Sequence, residues 1–164
     1  MKTLLILRHA KSSWEDASLS DHERPLKSRG REDAPRIGAL LHDEELTPGA
    51  IITSSARRAV ETARIVAAEC DFEGRIVISE DLYHADPDSY LEVAREQGGG
   101  HEIILLVGHN PGVEDLIEQL TGDWHRMPTA ALAEIRLDIS SWSELHDDVS
   151  GRLVNLWWPR ELRG

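Results

Sequence analysis

The sequence predicts an α/β sandwich of three layers, with helices on both faces of a central, mostly parallel sheet. Two patterns carry that prediction. Leu4-Leu5-Ile6-Leu7 and Ile103-Ile104-Leu105-Leu106-Val107 are short, unbroken apolar runs, as expected of strands buried on both faces. Between such runs the apolar period becomes helical, and strand alternates with helix to about residue 121, the order that right-handed crossovers produce.

Taken in order, Leu4 to Leu7 forms the first strand and stops at Arg8-His9. Ala34, Ile37 and Leu41, after Gly30, mark one face of the first helix. Ile51-Ile52 is a second strand, followed by a helical stripe of Ala56, Val60, Ala63, Ala67 and Cys70. Arg75 to Ile78 reads as a third buried strand, and a weaker helix covers Asp88 to Gln97 before Gly98-Gly99-Gly100. After the run ending at Val107, Val113, Leu116, Ile117 and Leu120 fall on one helical face. Asn110 is expected as its N-cap and Pro111 as its first helical residue. Ala131, Ala133, Ile135, Leu137 and Ile139 alternate with residues that include Glu134, Arg136 and Asp138, which predicts a strand with one wet face. Arg152 to Trp158 is a further strand, beyond a polar turn region around Ser140 to Gly151. These last two strands complete the sheet, one of them antiparallel.

A length of 164 residues suits one domain spanning 1–164, and no repeat, low-complexity tract or linker divides it. The formal net charge of −12 argues against a nucleic-acid or anionic-membrane partner, since both require a surplus of Lys and Arg. No apolar run approaches the ~20 residues of a membrane-spanning helix. Cys70 is the single cysteine, and Leu4 to Leu7 is too short for the core of a signal peptide, so a cytoplasmic location is expected. The charge is uneven: residues 1–64 hold 11 basic and 10 acidic side chains, whereas residues 65–164 hold 7 and 20. Groups that handle an anion are therefore expected from the first stretch.

In open parallel sheets, ligands bind beyond the carboxyl ends of the strands. His9 and His109 follow the two most apolar strands and should face one crevice. Arg8 adds a permanent cation; Lys11, Ser12 and Ser13 can donate to an oxyanion, and the Gly108 to Gly112 turn offers backbone N–H groups. Together these residues compose a phosphate site, the alternative being that Arg8 simply pairs with a nearby carboxylate. Ser54-Ser55-Ala56-Arg57-Arg58 also lies at the carboxyl edge. Arg57 has Glu61 at i+4 and reads as a surface ion pair, which leaves Arg58 for the pocket.

Leu7-Arg8-His9-Ala10 resembles the Arg-His-Gly signature of the histidine phosphatase (phosphoglycerate mutase-like) superfamily. Arg58-Ala59 with Thr62-Ala63 resembles its second-arginine motif, and Val107-Gly108-His109-Asn110-Pro111 the block of its second histidine. With Asp21 to Leu26 and Gly30, the ordered set is similar to the short SixA type, the phosphohistidine phosphatases, over most of residues 3–120. The resemblance implies a phosphoglycerate mutase-like fold without a large cap. It also implies that His9 attacks phosphorus and is itself phosphorylated, while Arg8, Arg58 and His109 hold the equatorial oxygens. Lys11, Ser12, Arg24 and Asn110 are further candidates for binding phosphate or substrate, and phosphate or vanadate would fill the pocket. No metal or other cofactor is expected: neither a His-Glu-x-x-His pattern nor a Cys/His cluster is present.

Two positions depart from the family's pattern. Ala10 replaces the usual glycine, which sterics tolerate if φ is negative there. Where larger relatives place an acid for the leaving group, Glu80, Asp81 and His84 are all candidates. A phosphoramidate leaving group needs less help from an acid than an alkoxide does. Little sequence is available for a cap between Ser79 and His101, so an open groove and a phosphorylated protein or peptide substrate are expected. Small phosphoesters remain an alternative, as does a phosphate-binding module that does not turn over. Arg24, Lys27, Arg29 and Arg31 would either rim the groove or form a solvated mixed-charge loop. Trp142, Trp157 and Trp158 are expected to pack the last strands, Trp14 follows the phosphate loop, and His22, His42, His125 and His146 are expected in solvent.

Overall fold

The structure, a computed structural model, describes residues 1–163. Along the chain run β1 (Lys2–Arg8), α1 (Ser28–Asp43), β2 (Ala50–Ser54), α2 (Arg57–Glu69), β3 (Ile76–Ser79) and α3 (Pro87–Gln97). They are followed by β4 (Ile103–Gly108), α4 (Gly112–Thr121), β5 (Leu132–Leu137), β6 (Gly151–Trp157) and the short α5 (Pro159–Leu162). The strands form one sheet in the order β3-β2-β4-β1-β5-β6. β1, β2, β3 and β4 pair in parallel, while β5 runs antiparallel to both β1 and β6. The mostly parallel sheet with an antiparallel strand is thus the predicted one.

The alternation of side chains across the sheet divides the core in two. Leu4, Ile6, Ile104 and Leu106 face α3 and α4, whereas Leu5, Leu7, Leu105 and Val107 face α1 and α2. All eight are buried, and burying each such side chain contributes roughly 1.5–3 kcal/mol. Helices on both faces explain why β1 and β4 are continuous apolar runs.

Three local expectations need correction. β3 is not buried on both faces: it pairs only with β2 at the sheet edge, and Ile78 is 50% exposed. The face of β5 expected to be wet is only partly so. Glu134 lies opposite Leu5 on the face covered by α1 and α2, and is buried there with Asn155 Nδ2 donating to its Oε1 at 2.9 Å. Asn110 does not cap α4. Its amide donates to the Met127 carbonyl at 2.9 Å, Pro111 takes the cap position, and the helix begins at Gly112.

Trp142 is buried, with its indole N–H donating to the His101 carbonyl at 2.7 Å, and Trp157 and Trp158 pack against the two halves of the core. His22 is half-buried rather than solvated, its Nε2 lying 2.9 Å from Ser55 Oγ.

Candidate active site

Parallel pairing sets the site. Arg8 lies opposite Gly108 in the β1–β4 register, so the residues that follow each strand emerge side by side at the carboxyl edge. β2 flanks β4 on its other side, with Thr53 opposite Val107, which brings Ser54 and the start of α2 to the same edge. Gly108 is required by packing: a Cβ there would lie 2.1 Å from the Tyr90 hydroxyl, the group that accepts the His109 backbone N–H at 3.2 Å. Gly30 lets α1 approach the loop after His9, since a Cβ would lie 2.2 Å from the Lys11 carbonyl.

His9 is buried, and its Nδ1 lies 2.8 Å from the Ala10 carbonyl. A carbonyl only accepts, so Nδ1 carries the proton and Nε2 keeps its lone pair in the neutral ring. Burial above all, reinforced by His109, Arg58 and Arg8 and opposed by the Ala10 hydrogen bond, holds the His9 pKa down to about 3. Ala10 does not have a positive φ, and its N–H donates to Thr62 Oγ1 at 3.0 Å. The alanine is therefore accommodated, and α2 fixes the loop through Thr62.

The pocket beside His9, about 210 Å3, is lined by Arg8, Lys11, Ser12, Trp14, Arg24, Arg58, His109, Asn110 and Thr129. Arg8 donates through Nη1 to the Met127 carbonyl at 3.1 Å, the same oxygen that holds Asn110. Arg58 donates through Nη1 to the Asp21 carbonyl at 2.7 Å and through Nη2 to Asp21 Oδ2 at 3.0 Å. The Nε groups of Arg8 and Arg58 are buried without a partner among the described residues. Buried polar atoms of this kind are costly, and Asn110 Oδ1 is a third one beside them.

His109 bridges these groups. Its Nε2 is 2.7 Å from Ser54 Oγ and its Nδ1 is 3.5 Å from Arg58 Nη2. A guanidinium only donates, so Nδ1 is the lone-pair nitrogen and Nε2–H donates to Ser54. Burial, then Arg58, lowers the His109 pKa to about 4.

Arg24 is buried within the site rather than at its rim. Nη1 donates to Ser12 Oγ at 2.7 Å, and the guanidinium lies 3.5 Å above the centre of the Trp14 ring. Arg31 turns back to the Leu26 carbonyl, and Arg29 lies 4.0 Å from Glu32. Arg57 pairs with Glu61 at 3.7 Å on the surface. Glu80 and Asp81 are exposed on the turn after β3, outside the pocket. His84, with φ at +60°, stacks on Tyr83 at 4.0 Å, and Tyr83 in turn meets the His109 ring edge-on at 5.7 Å.

Sequence reasoning missed the part played by Asp21. Oδ2 accepts from Tyr83 at 2.6 Å and from Arg58, while Oδ1 accepts from Arg24 Nε and Nη2 at 3.2 and 3.1 Å. Partial burial acts the other way, but these hydrogen bonds hold the Asp21 carboxyl well below the usual range. The three-residue spacing of Asp21 and Arg24 was the available signal; nothing local marks Tyr83 or the Met127 carbonyl. The pocket also draws on the second half of the chain: His109 and Asn110 line it, and the Met127 carbonyl holds Arg8 and Asn110 in place.

A three-layer sheet with paired histidines and arginines at one carboxyl edge defines the class of phosphoglycerate mutase-like phosphatases. Residues 4–90 match the family model of the histidine phosphatase superfamily (branch 1), and the chain belongs to that family. An uncharacterized chloroplastic protein of Arabidopsis thaliana is 31% identical over 157 residues, covering 87% of this chain and 70% of the relative. The structure of SixA from Agrobacterium tumefaciens superposes with a TM-score of 0.81 at 25% identity, covering 96% of this chain and 98% of that one. A protein histidine phosphatase SixA, solved in complex with tungstate, has a TM-score of 0.82 at 22% identity, covering 98% and 99%.

Proposed function

We propose that this chain hydrolyses phosphohistidine on a protein, by way of a phosphohistidine formed on its own His9. The carrying observation is the composition of the pocket wall. It holds four cations, Arg8, Lys11, Arg24 and Arg58, and two histidines, but no carboxyl group among the described residues. Such a wall favours a dianionic phosphoryl group whose leaving group needs no carboxylic acid to protonate it.

In the first step, the Nε2 lone pair of His9 attacks phosphorus as the bond from phosphorus to the substrate imidazole breaks, and the departing ring takes up a proton from water. In the second, water attacks the phosphorylated His9; the N–P bond breaks, phosphate leaves and the neutral ring returns. The Ala10 carbonyl presents the ring in the required tautomer. Two unit charges ~4 Å apart interact by about 4 kcal/mol at an effective dielectric near 20. The clustered guanidinium groups can therefore stabilise the charge on the equatorial oxygens without a metal. Phosphate or vanadate would occupy the same volume; a protein histidine phosphatase SixA of the same fold was solved in complex with tungstate.

Kinetics on a phosphohistidine protein alongside sugar phosphates test the proposal. Higher kcat/KM on the phosphohistidine protein is expected; efficient turnover of the sugar phosphates alone would reject it.

A further inference from the structure

The catalytic pocket is not isolated. It shares Lys11 and Thr129 with a larger open cavity, about 590 Å3, between the start of α1 and Arg163. That cavity shares Thr129 and Arg163 with a cleft beside Trp158 and α5. Thr129 stands in the wall of all three, so they adjoin as a broken groove beside His9.

Its charge is unlike that of the rest of the chain. Of the ionised groups along it, Asp33 is engaged by Arg163 at 2.7 Å and by Arg36 at 3.2 Å, and Glu32 lies 4.0 Å from Arg29. Lys11, Lys27, Arg126 and Arg160 form no ion pair among the described residues. Arg126 and Arg160 instead flank the Trp158 ring, at 5.6 and 4.7 Å from its centre. A net charge of −12 would have supplied partners readily, yet these four cations beside the phosphate pocket stay without one.

We infer that the groove receives an acidic polypeptide segment flanking the phosphorylated residue of the substrate. The inference rests on the phosphohistidine reading above and adds the chemistry of the substrate's flank. A polypeptide fits better than a second phosphate group, because the cations are spread along three connected depressions rather than gathered round one. It also fits better than a nucleic acid, whose continuous phosphate charge would extend past the groove onto an acidic surface. Opposite charge at this position raises the encounter rate and selects the partner, while the surrounding acidic surface is screened within about 8 Å at physiological salt.

The test uses two short phosphohistidine peptides, one with Asp/Glu-rich flanks and one with neutral flanks, and phosphoramidate as a substrate too small to reach the groove. The acidic peptide should show a kcat/KM about tenfold above the neutral one at low ionic strength, and the advantage should shrink with added salt. The double variant Lys27→Glu/Arg160→Glu, outside the phosphate pocket, should abolish that advantage and keep phosphoramidate turnover within about twofold. Equal rates on the two peptides, or an advantage that survives the double variant, overturn the acidic groove and leave the phosphohistidine reading intact. If neither peptide reacts while small esters do, the phosphohistidine reading fails, and the groove is judged by competition. An unphosphorylated acidic peptide that inhibits the wild type but not the double variant supports it; no inhibition, or stronger inhibition by a single-stranded nucleic acid, overturns it.

Discussion

The rings of His9 and His109 lie 5.0 Å apart, centre to centre, at an interplanar angle of 54°. The spacing follows from the sheet: β1 and β4 are parallel neighbours with Arg8 opposite Gly108, so the next residue of each strand turns out over the same edge. The two imidazoles are thereby placed by the backbone pairing of the sheet rather than by a loop alone.

Arg57 and Arg58 are adjacent in sequence and should differ sharply on mutation. Arg57→Ala removes a surface pair at 3.7 Å with both partners partly exposed, and its effect on stability should stay within about 0.5 kcal/mol. Arg58→Lys keeps a charge but loses the planar donors that reach Asp21 and His109, and kcat/KM should fall about a hundredfold or more. Steady-state kinetics and denaturant melts on both variants check the contrast.

Asp21 positions both Arg58 and Arg24. Asp21→Ala should lower kcat about tenfold by releasing the two guanidinium groups, with a smaller change in stability because the carboxyl is partly exposed. Asp21→Asn retains an acceptor oxygen and should recover part of the loss. Equal kcat for wild type and Asp21→Ala would remove Asp21 from this role.

Acid should destabilise the phosphate-free protein through its two buried imidazoles. Both start from an ordinary value of 6.5 and are lowered, to about 3 for His9 and about 4 for His109. With the folded values below the unfolded ones, the unfolded chain takes up protons first as the pH falls. The contribution is complete above pH 6.5 and is lost progressively as the pH falls from there, towards about 4 for His109 and about 3 for His9. Urea midpoints measured across that window should fall, and His109→Asn should flatten the slope.

Gly108→Ala should destabilise the fold by about 1–3 kcal/mol, the usual cost of overpacking. The added Cβ would lie 2.1 Å from the Tyr90 hydroxyl and 2.8 Å from its ring. Tyr90→Phe in the same background should restore part of the loss by removing the nearer atom. Thermal melts of the single and double variants read this directly.

The strands at the sheet's centre were legible because burial on both faces leaves an unbroken apolar run, as in Ile103 to Val107. β3 was misjudged for the converse reason: an edge strand can be apolar without being covered, as Ile78 is. Burial of Glu134 depends on helices far away in sequence, so alternation alone could not reveal it. The positions of His9, His109 and Arg58 could be inferred because each follows a strand end or opens a helix. Asp21 and the Met127 carbonyl act across the fold, on partners up to 119 residues away, and no local spacing records that.

Brief exposure of the enzyme to a radiolabelled phosphohistidine protein, followed by denaturing quench and peptide mapping, tests the central claim most directly. The account predicts an acid-labile, base-stable phosphoryl adduct on His9, absent from His9→Ala. A labelled residue other than His9, or full turnover by His9→Ala, would contradict it.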